Sequence, residues 1–143
     1  MRAEAIVDLS AIKHNVAVLK EKSETQLLAV VKADAYGHGL VPVAKAALDA
    51  GASMLGVALL EEAVALREAG ITAPVLAWLV QPGSDFKSAI DRDIDLAAGS
   101  IKALHEIQAA STGKKARVHL ELDTGMTRGG FLGEWSQIDA ADV

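Results

Sequence analysis

The sequence predicts an α/β fold built from parallel βα repeats, and three observations carry that reading. Short apolar, β-branched runs alternate with alanine-rich stretches whose apolar residues recur at spacings of three and four. The apolar runs start near residues 27, 54, 75, 94 and 116, a repeat of about 19 to 27 residues that accommodates one strand, one helix and two short connections. Glycines at positions 51 and 70 stand where helical stretches should close. A doubly wound sheet and a (β/α)8 barrel both satisfy this repeat, because periodicity does not report how a sheet closes.

Taken in order, Ala5 to Val7 is a short strand candidate. Leu9, Ile12, Val16 and Leu19 form one face of a helix, with Ser10 as the expected N-cap. Leu27 to Val31 is wholly apolar and reads as a strand buried on both faces. A glycine-rich turn follows, then a helix from about Val41 to Ala50. Met54 to Ala58 is the next buried strand, and Leu60 to Ala69 the next helix. Pro74 leads into the strand Val75 to Leu79. A shorter unit has a helix around Phe86 to Ile90, the strand Ile94 to Ala97 and a helix from Ile101 to Ala110 capped by Ser100. Ala116 to Leu122 is the last clear strand, and Glu134 to Ala141 could begin one more helix.

The chain has 143 residues, room for about one domain. Its net charge of -5 and lack of a basic stripe argue against nucleic acid as the main partner. The longest apolar run, Met54 to Leu60, is far shorter than the roughly 20 residues of a membrane span. Met1 to Ser10 contains Glu4 and Asp8 and no signal-type apolar segment. Cysteine is absent, which excludes disulfides, thiolate metal sites and a cysteine nucleophile. The cytoplasm is the compartment these features fit.

Two clusters could carry chemistry. In the first, Lys32 stands at the C-terminal end of a buried strand before Ala33-Asp34-Ala35-Tyr36-Gly37-His38-Gly39. Parallel α/β proteins place their active sites at that end. Partial desolvation there favours a neutral amine, the form that condenses with carbonyl groups. A snorkelling surface lysine is the plainer reading, and position alone divides the two evenly. Tyr36, the single tyrosine, is either a lining residue of the same mouth or an amphipathic rim residue. His38 reads as a turn residue. The second cluster, Glu121 to Phe131, follows the fifth strand. Its Arg128 offers a planar fork to a carboxylate or phenolate oxygen, or else pairs locally with Glu121 or Asp123. Elsewhere, His14 and His105 read as solvent-facing helix residues and His119 as a packed strand residue. Asp91, Asp93 and Asp95 read as a solvated edge. No spacing of His, Asp and Glu resembles a metal site.

Val31-Lys32-Ala33-Asp34-Ala35-Tyr36-Gly37-His38-Gly39 resembles the pyridoxal-phosphate lysine signature of the alanine racemases, and Asp123-Thr124-Gly125-Met126-Thr127-Arg128-Gly129-Gly130 resembles that family's second signature. Asp8 to Asn15, Gly56 to Gly70 and Val75 to Gly83 are similar to the family as well. The resemblance implies the N-terminal part (residues 1–143) of a (β/α)8, TIM-type barrel, with about five strands present. The remaining strands and a C-terminal β domain are expected to lie outside it. It also implies a homodimeric enzyme that interconverts L- and D-alanine with pyridoxal 5'-phosphate and supplies D-alanine for peptidoglycan. Lys32 would hold the cofactor and act as acid and base on one face of the substrate. Tyr36 would bond the cofactor phosphate, and Arg128 would sit near the phenolic oxygen and the substrate carboxylate.

Many members carry a carbamylated lysine where this chain has Glu121, so the resemblance predicts a Glu121–Arg128 contact that orients the guanidinium. The second base, a tyrosine on the partner chain, has no counterpart in these residues, and the chain alone is expected to have negligible racemase activity. Two other readings compete. One is a non-catalytic half-barrel that binds only the cofactor or self-associates through its open strand edges. The other is a broad-specificity amino-acid racemase, which shares the lysine signature.

Overall fold

Runs of three to five residues, apolar but for Asp95 and His119, form β1 (Leu28–Val30), β2 (Met54–Val57), β3 (Val75–Ala77), β4 (Ile94–Ala98) and β5 (Val118–Leu120). They pair in the order β1-β2-β3-β4-β5, all parallel. The computed structural model describes residues 3–138. Parallel neighbours need a crossover, supplied here by α3 (Leu40–Asp49), α4 (Leu60–Glu68), α5 (Phe86–Asp91) and α6 (Ile101–Ala110), while α1 (Leu9–Lys22) precedes the sheet. The short segment α2 (Lys32–Gly37) lies between β1 and α3. This is the expected βα repeat, a partial barrel of five strands.

The core lies between the sheet and its helices. Leu55, Val57, Val75, Ala77, Ile94, Leu96 and Ala98 alternate along the strands toward Ala44, Ala63, Leu66, Leu104 and Ile107. Burying one such leucine contributes about 1.5–3 kcal/mol. Gly56, Leu76, Asp95 and Ala97 occupy the alternate positions, on the inner face. A Cβ on Gly56 would sit 2.6 Å from Leu28 Cδ2 and 2.8 Å from Trp78 Cζ3, so the inner face closes over that glycine.

Several expectations need correction. Residues 3–8 form no strand: among the described residues no ladder includes that run, and Ile6 is exposed. The N-cap of α1 is Asp8, whose carboxylate accepts from Ser10 N–H at 2.9 Å and Ala11 N–H at 3.3 Å, so Ser10 is already inside the first turn. Leu9, Ile12 and Val16 are only half-buried and Leu19 is exposed, since α1 packs along one side of α3 and is pinned by Lys13–Asp49 at 2.9 Å. β1 is not buried on both faces: it is an edge strand with β2 as its one neighbour, and Val30 is 56% exposed. β4, inside the sheet, has all five residues buried. From Glu134 onward the described residues hold one 3-10 turn, Trp135–Gln137, and residues 139–141 of the expected helix lie outside them.

Candidate functional site

Lys32 leaves the C-terminal end of β1, half-buried, with its Nζ donating to the Tyr36 hydroxyl at 2.7 Å. The same nitrogen is 4.6 Å from the ring centroid. It therefore lies over the hydroxyl side of the ring, within reach of both the hydrogen bond and a cation–π contact. A cleft of about 230 Å³ opens here, lined by Ile12, Val30, Lys32, Tyr36, His38 and Val43. Sites that enclose a small molecule run to about 300–1,000 Å³, so this cleft by itself is smaller than such a site.

The backbone that places the pair is strained. Ala33, Asp34, Ala35 and Tyr36 all have φ near +50° (54°, 54°, 49° and 53°), making a left-handed helical turn without a glycine. Each such residue costs about 1–2 kcal/mol, so the turn needs strong local support. Backbone bonds supply part of it: Ala35 N–H donates to Val31 O at 2.9 Å and Gly39 N–H to Asp34 O at 3.0 Å. Two carboxylates supply more. Asp34 Oδ1 accepts from Leu40 N–H at 2.6 Å and so caps α3, whose N-cap Gly39 has no side chain to do so. Glu62 Oε1 accepts from Ala33 N–H at 2.5 Å, while its Oε2 accepts from Ala58 and Leu59 N–H at 3.0 Å each. The turn puts Lys32 and Tyr36 side by side across one left-handed revolution, which the expected glycine-rich turn did not foresee.

Arg128 lies on the loop after β5. Both Lys32 and Arg128 follow C-terminal strand ends, hence the same end of the sheet, but they belong to its opposite edges. Four strand spacings separate β1 from β5, roughly 19 Å measured along the sheet. The loop folds back on its own strand: Phe131 N–H donates to Glu121 O at 2.7 Å and Asp123 N–H to Phe131 O at 3.0 Å. Asp123 Oδ1 accepts from Gly125 and Thr127 N–H at 2.9 Å each. Those bonds, Thr127 first, hold the Asp123 carboxyl below its ordinary value. Among the described residues no ion pair joins Glu121 to Arg128, contrary to expectation. The Glu121 carboxylate lies against Gly99 and Gly129, and the turn leaves Arg128 exposed.

The remaining polar groups build structure at the opposite end of the sheet. Asp95 is 5% exposed rather than solvated. It accepts from Arg117 Nε at 2.7 Å and lies 3.2 Å from His119 Nε2. His119 is exposed, not packed, because it occupies the inner face of the half-open β5 edge. The hydrogen bond that Arg117 donates to Asp95 raises Arg117 above its ordinary value. Among the described residues no group of three His, Asp or Glu could hold a metal. A larger groove of about 550 Å³ runs between α4 and α5, but its lining carries no lysine, arginine or histidine. Glu62 escaped the sequence reading; its place at the third residue of a helix was the available signal.

Residues 7–141 match the family model described as alanine racemase, N-terminal domain. The alanine racemase of Salinispora tropica is 51% identical over 144 residues, covering 98% of this chain and 39% of that protein. That of Thermobifida fusca is 50% identical, covering 97% of this chain and 38% of that protein. Among solved structures, alanine racemase from D-cycloserine-producing Streptomyces lavendulae superposes with a TM-score of 0.89 at 44% identity, covering 92% of this chain and 35% of that one. The Corynebacterium glutamicum alanine racemase gives 0.85 at 42% identity, over 92% of this chain and 38% of that one. The chain thus spans less than two-fifths of the length of these relatives.

Proposed function

The chain belongs to the family of alanine racemase N-terminal domains, and from that premise we propose that it is the cofactor-lysine portion of a pyridoxal-phosphate-dependent alanine racemase. One observation carries the reading: a half-buried amine at a strand's C-terminal end, 2.7 Å from a phenol and held there by a strained, braced turn. This donor set suits pyridoxal 5'-phosphate, since an amine can hold an aldehyde and a phenol can donate to a phosphate. When bound, that group draws electron density from the alanine α-carbon and so acidifies its proton. Lys32 Nζ then moves the proton on one face of the substrate. The Tyr36 hydroxyl donates to the phosphate. Arg128 presents its fork to the substrate carboxylate or the cofactor's phenolic oxygen, and Glu121 sets the loop that carries it.

A racemase needs a base on each face, and the family resemblance makes the second a tyrosine of the partner chain. The working form is then a homodimer, its compartment the cytoplasm and its product D-alanine for peptidoglycan. Among the described residues no helix is long and apolar enough to cross a membrane. Chiral analysis of alanine incubated with the cofactor tests the proposal. Residues 1–143 alone should form no D-alanine above the cofactor-only blank. The same residues replacing their counterpart in the Thermobifida fusca enzyme should restore turnover. Robust turnover by residues 1–143 alone would overturn this division of labour. Preferential turnover of serine or lysine by the chimera would favour the broad-specificity reading.

A further inference from the structure

We propose that Glu62 is a positioning residue for Lys32, a role that rests on the cofactor-lysine reading above. Its two carboxylate oxygens do different work. Oε2 takes the N–H groups of Ala58 and Leu59 at 3.0 Å each, closing the N-terminus of α4 where Leu59 has no side-chain acceptor. Oε1 reaches across to the N–H of Ala33 at 2.5 Å. That N–H shares one planar peptide unit with the carbonyl of Lys32. Anchoring it fixes the ψ angle of Lys32 and hence the direction in which the next residues leave. The first left-handed residue, Ala33, then carries the chain round to Tyr36, whose hydroxyl meets Lys32 Nζ. One carboxylate therefore ties the helix after β2 to the residue after the cofactor lysine. Without Oε1, the Lys32–Ala33 peptide is free to rotate, and the amine loses its fixed station beside the phenol.

Two variants separate this role from helix capping. Leu59→Asp/Glu62→Ala gives α4 an N-cap acceptor that the native chain lacks, at an exposed position with extended backbone, φ -104° and ψ 152°, to offset the lost Oε2 bonds, but leaves nothing to reach Ala33. Glu62→Gln keeps one acceptor oxygen for two tasks. Each chain is treated with limiting pyridoxal 5'-phosphate and borohydride, and the labelled share at Lys32 is compared with that at exposed Lys45 of α3 by peptide mapping, alongside thermal melts. The native chain should favour Lys32. The double variant should melt near the native temperature yet lose about tenfold of that preference, the scale of one charge-assisted hydrogen bond. Glu62→Gln should fall between the two, and it decides the matter if the double variant does not fold. An unchanged Lys32 preference in a folded variant overturns the role of Glu62 alone. No preference in the native chain overturns the cofactor-lysine reading, and this role with it.

Discussion

The Lys32 corner and the Arg128 loop follow the two edge strands of one sheet, yet they are built differently. At the corner, four consecutive left-handed residues are tied to α3 through Asp34 and to α4 through Glu62. In the loop, the Asp123 carboxylate accepts from amides two and four residues away, and Arg128 is exposed. Conformational cost tracks long-range support: the costly turn carries a bond spanning 29 residues, while the side-chain bonds of the loop are local. We read the corner as preorganised by this chain and the loop as a partly formed wall that acquires its geometry from groups packing against it.

The largest effect should separate the two regions outright. In the chimera, Lys32→Ala should abolish racemisation and leave no cofactor label at that position. Arg128→Ala should slow turnover by about ten- to a hundredfold, the scale of a charged hydrogen bond, while Lys32 still labels. Equal loss of label in both variants would erase the distinction.

Next comes Gly130→Ala, where the loop does touch its strand. A Cβ there would lie 2.8 Å from Asp123 N and 2.9 Å from the Leu122 carbonyl carbon, at a φ of 98°. Thermal or denaturant unfolding should show a loss of about 1–3 kcal/mol. A neutral result would mean that the loop's return to β5 is slack.

Asp34→Ala should cost about 1 kcal/mol, the worth of an N-cap, through the lost bond to Leu40. Asp34→Asn keeps an acceptor and tolerates the left-handed backbone, so it should lie close to the native chain in the same unfolding experiment.

The smallest effect concerns acid. Asp123 is held below its ordinary value of 3.8 by the Thr127 and Gly125 amides. For a carboxyl lowered in the folded state, the stabilisation is fully present above that ordinary value and lost as pH falls through the lowered one. The Thr127 amide resonance should therefore move only below about pH 3.8. A midpoint for Thr127 above that value would contradict the hold of these amides on Asp123.

The repeat of β-branched runs located all five strands, because buried parallel strands are continuously apolar. It could not rank edge against centre: Leu27 to Val31 and Ile94 to Ala97 look alike, and only the number of neighbours makes Val30 exposed and Asp95 buried. Ser10 and Asp8 are equally good caps by residue type, so the choice awaited geometry. The left-handed turn was hidden because Ala-Asp-Ala-Tyr contains no glycine to announce positive φ. Lys32 and Tyr36 stood out by spacing. Glu62 did not, since a glutamate at a helix start is ordinary and its bond to Ala33 spans 29 residues.

The central claim is that Lys32 is the lysine this fold prepares for the cofactor. Its most direct test is intact mass and peptide mapping of the native chain after pyridoxal 5'-phosphate and borohydride. One adduct should form, at Lys32, in preference to every other lysine. An even spread of label over the surface lysines would contradict it.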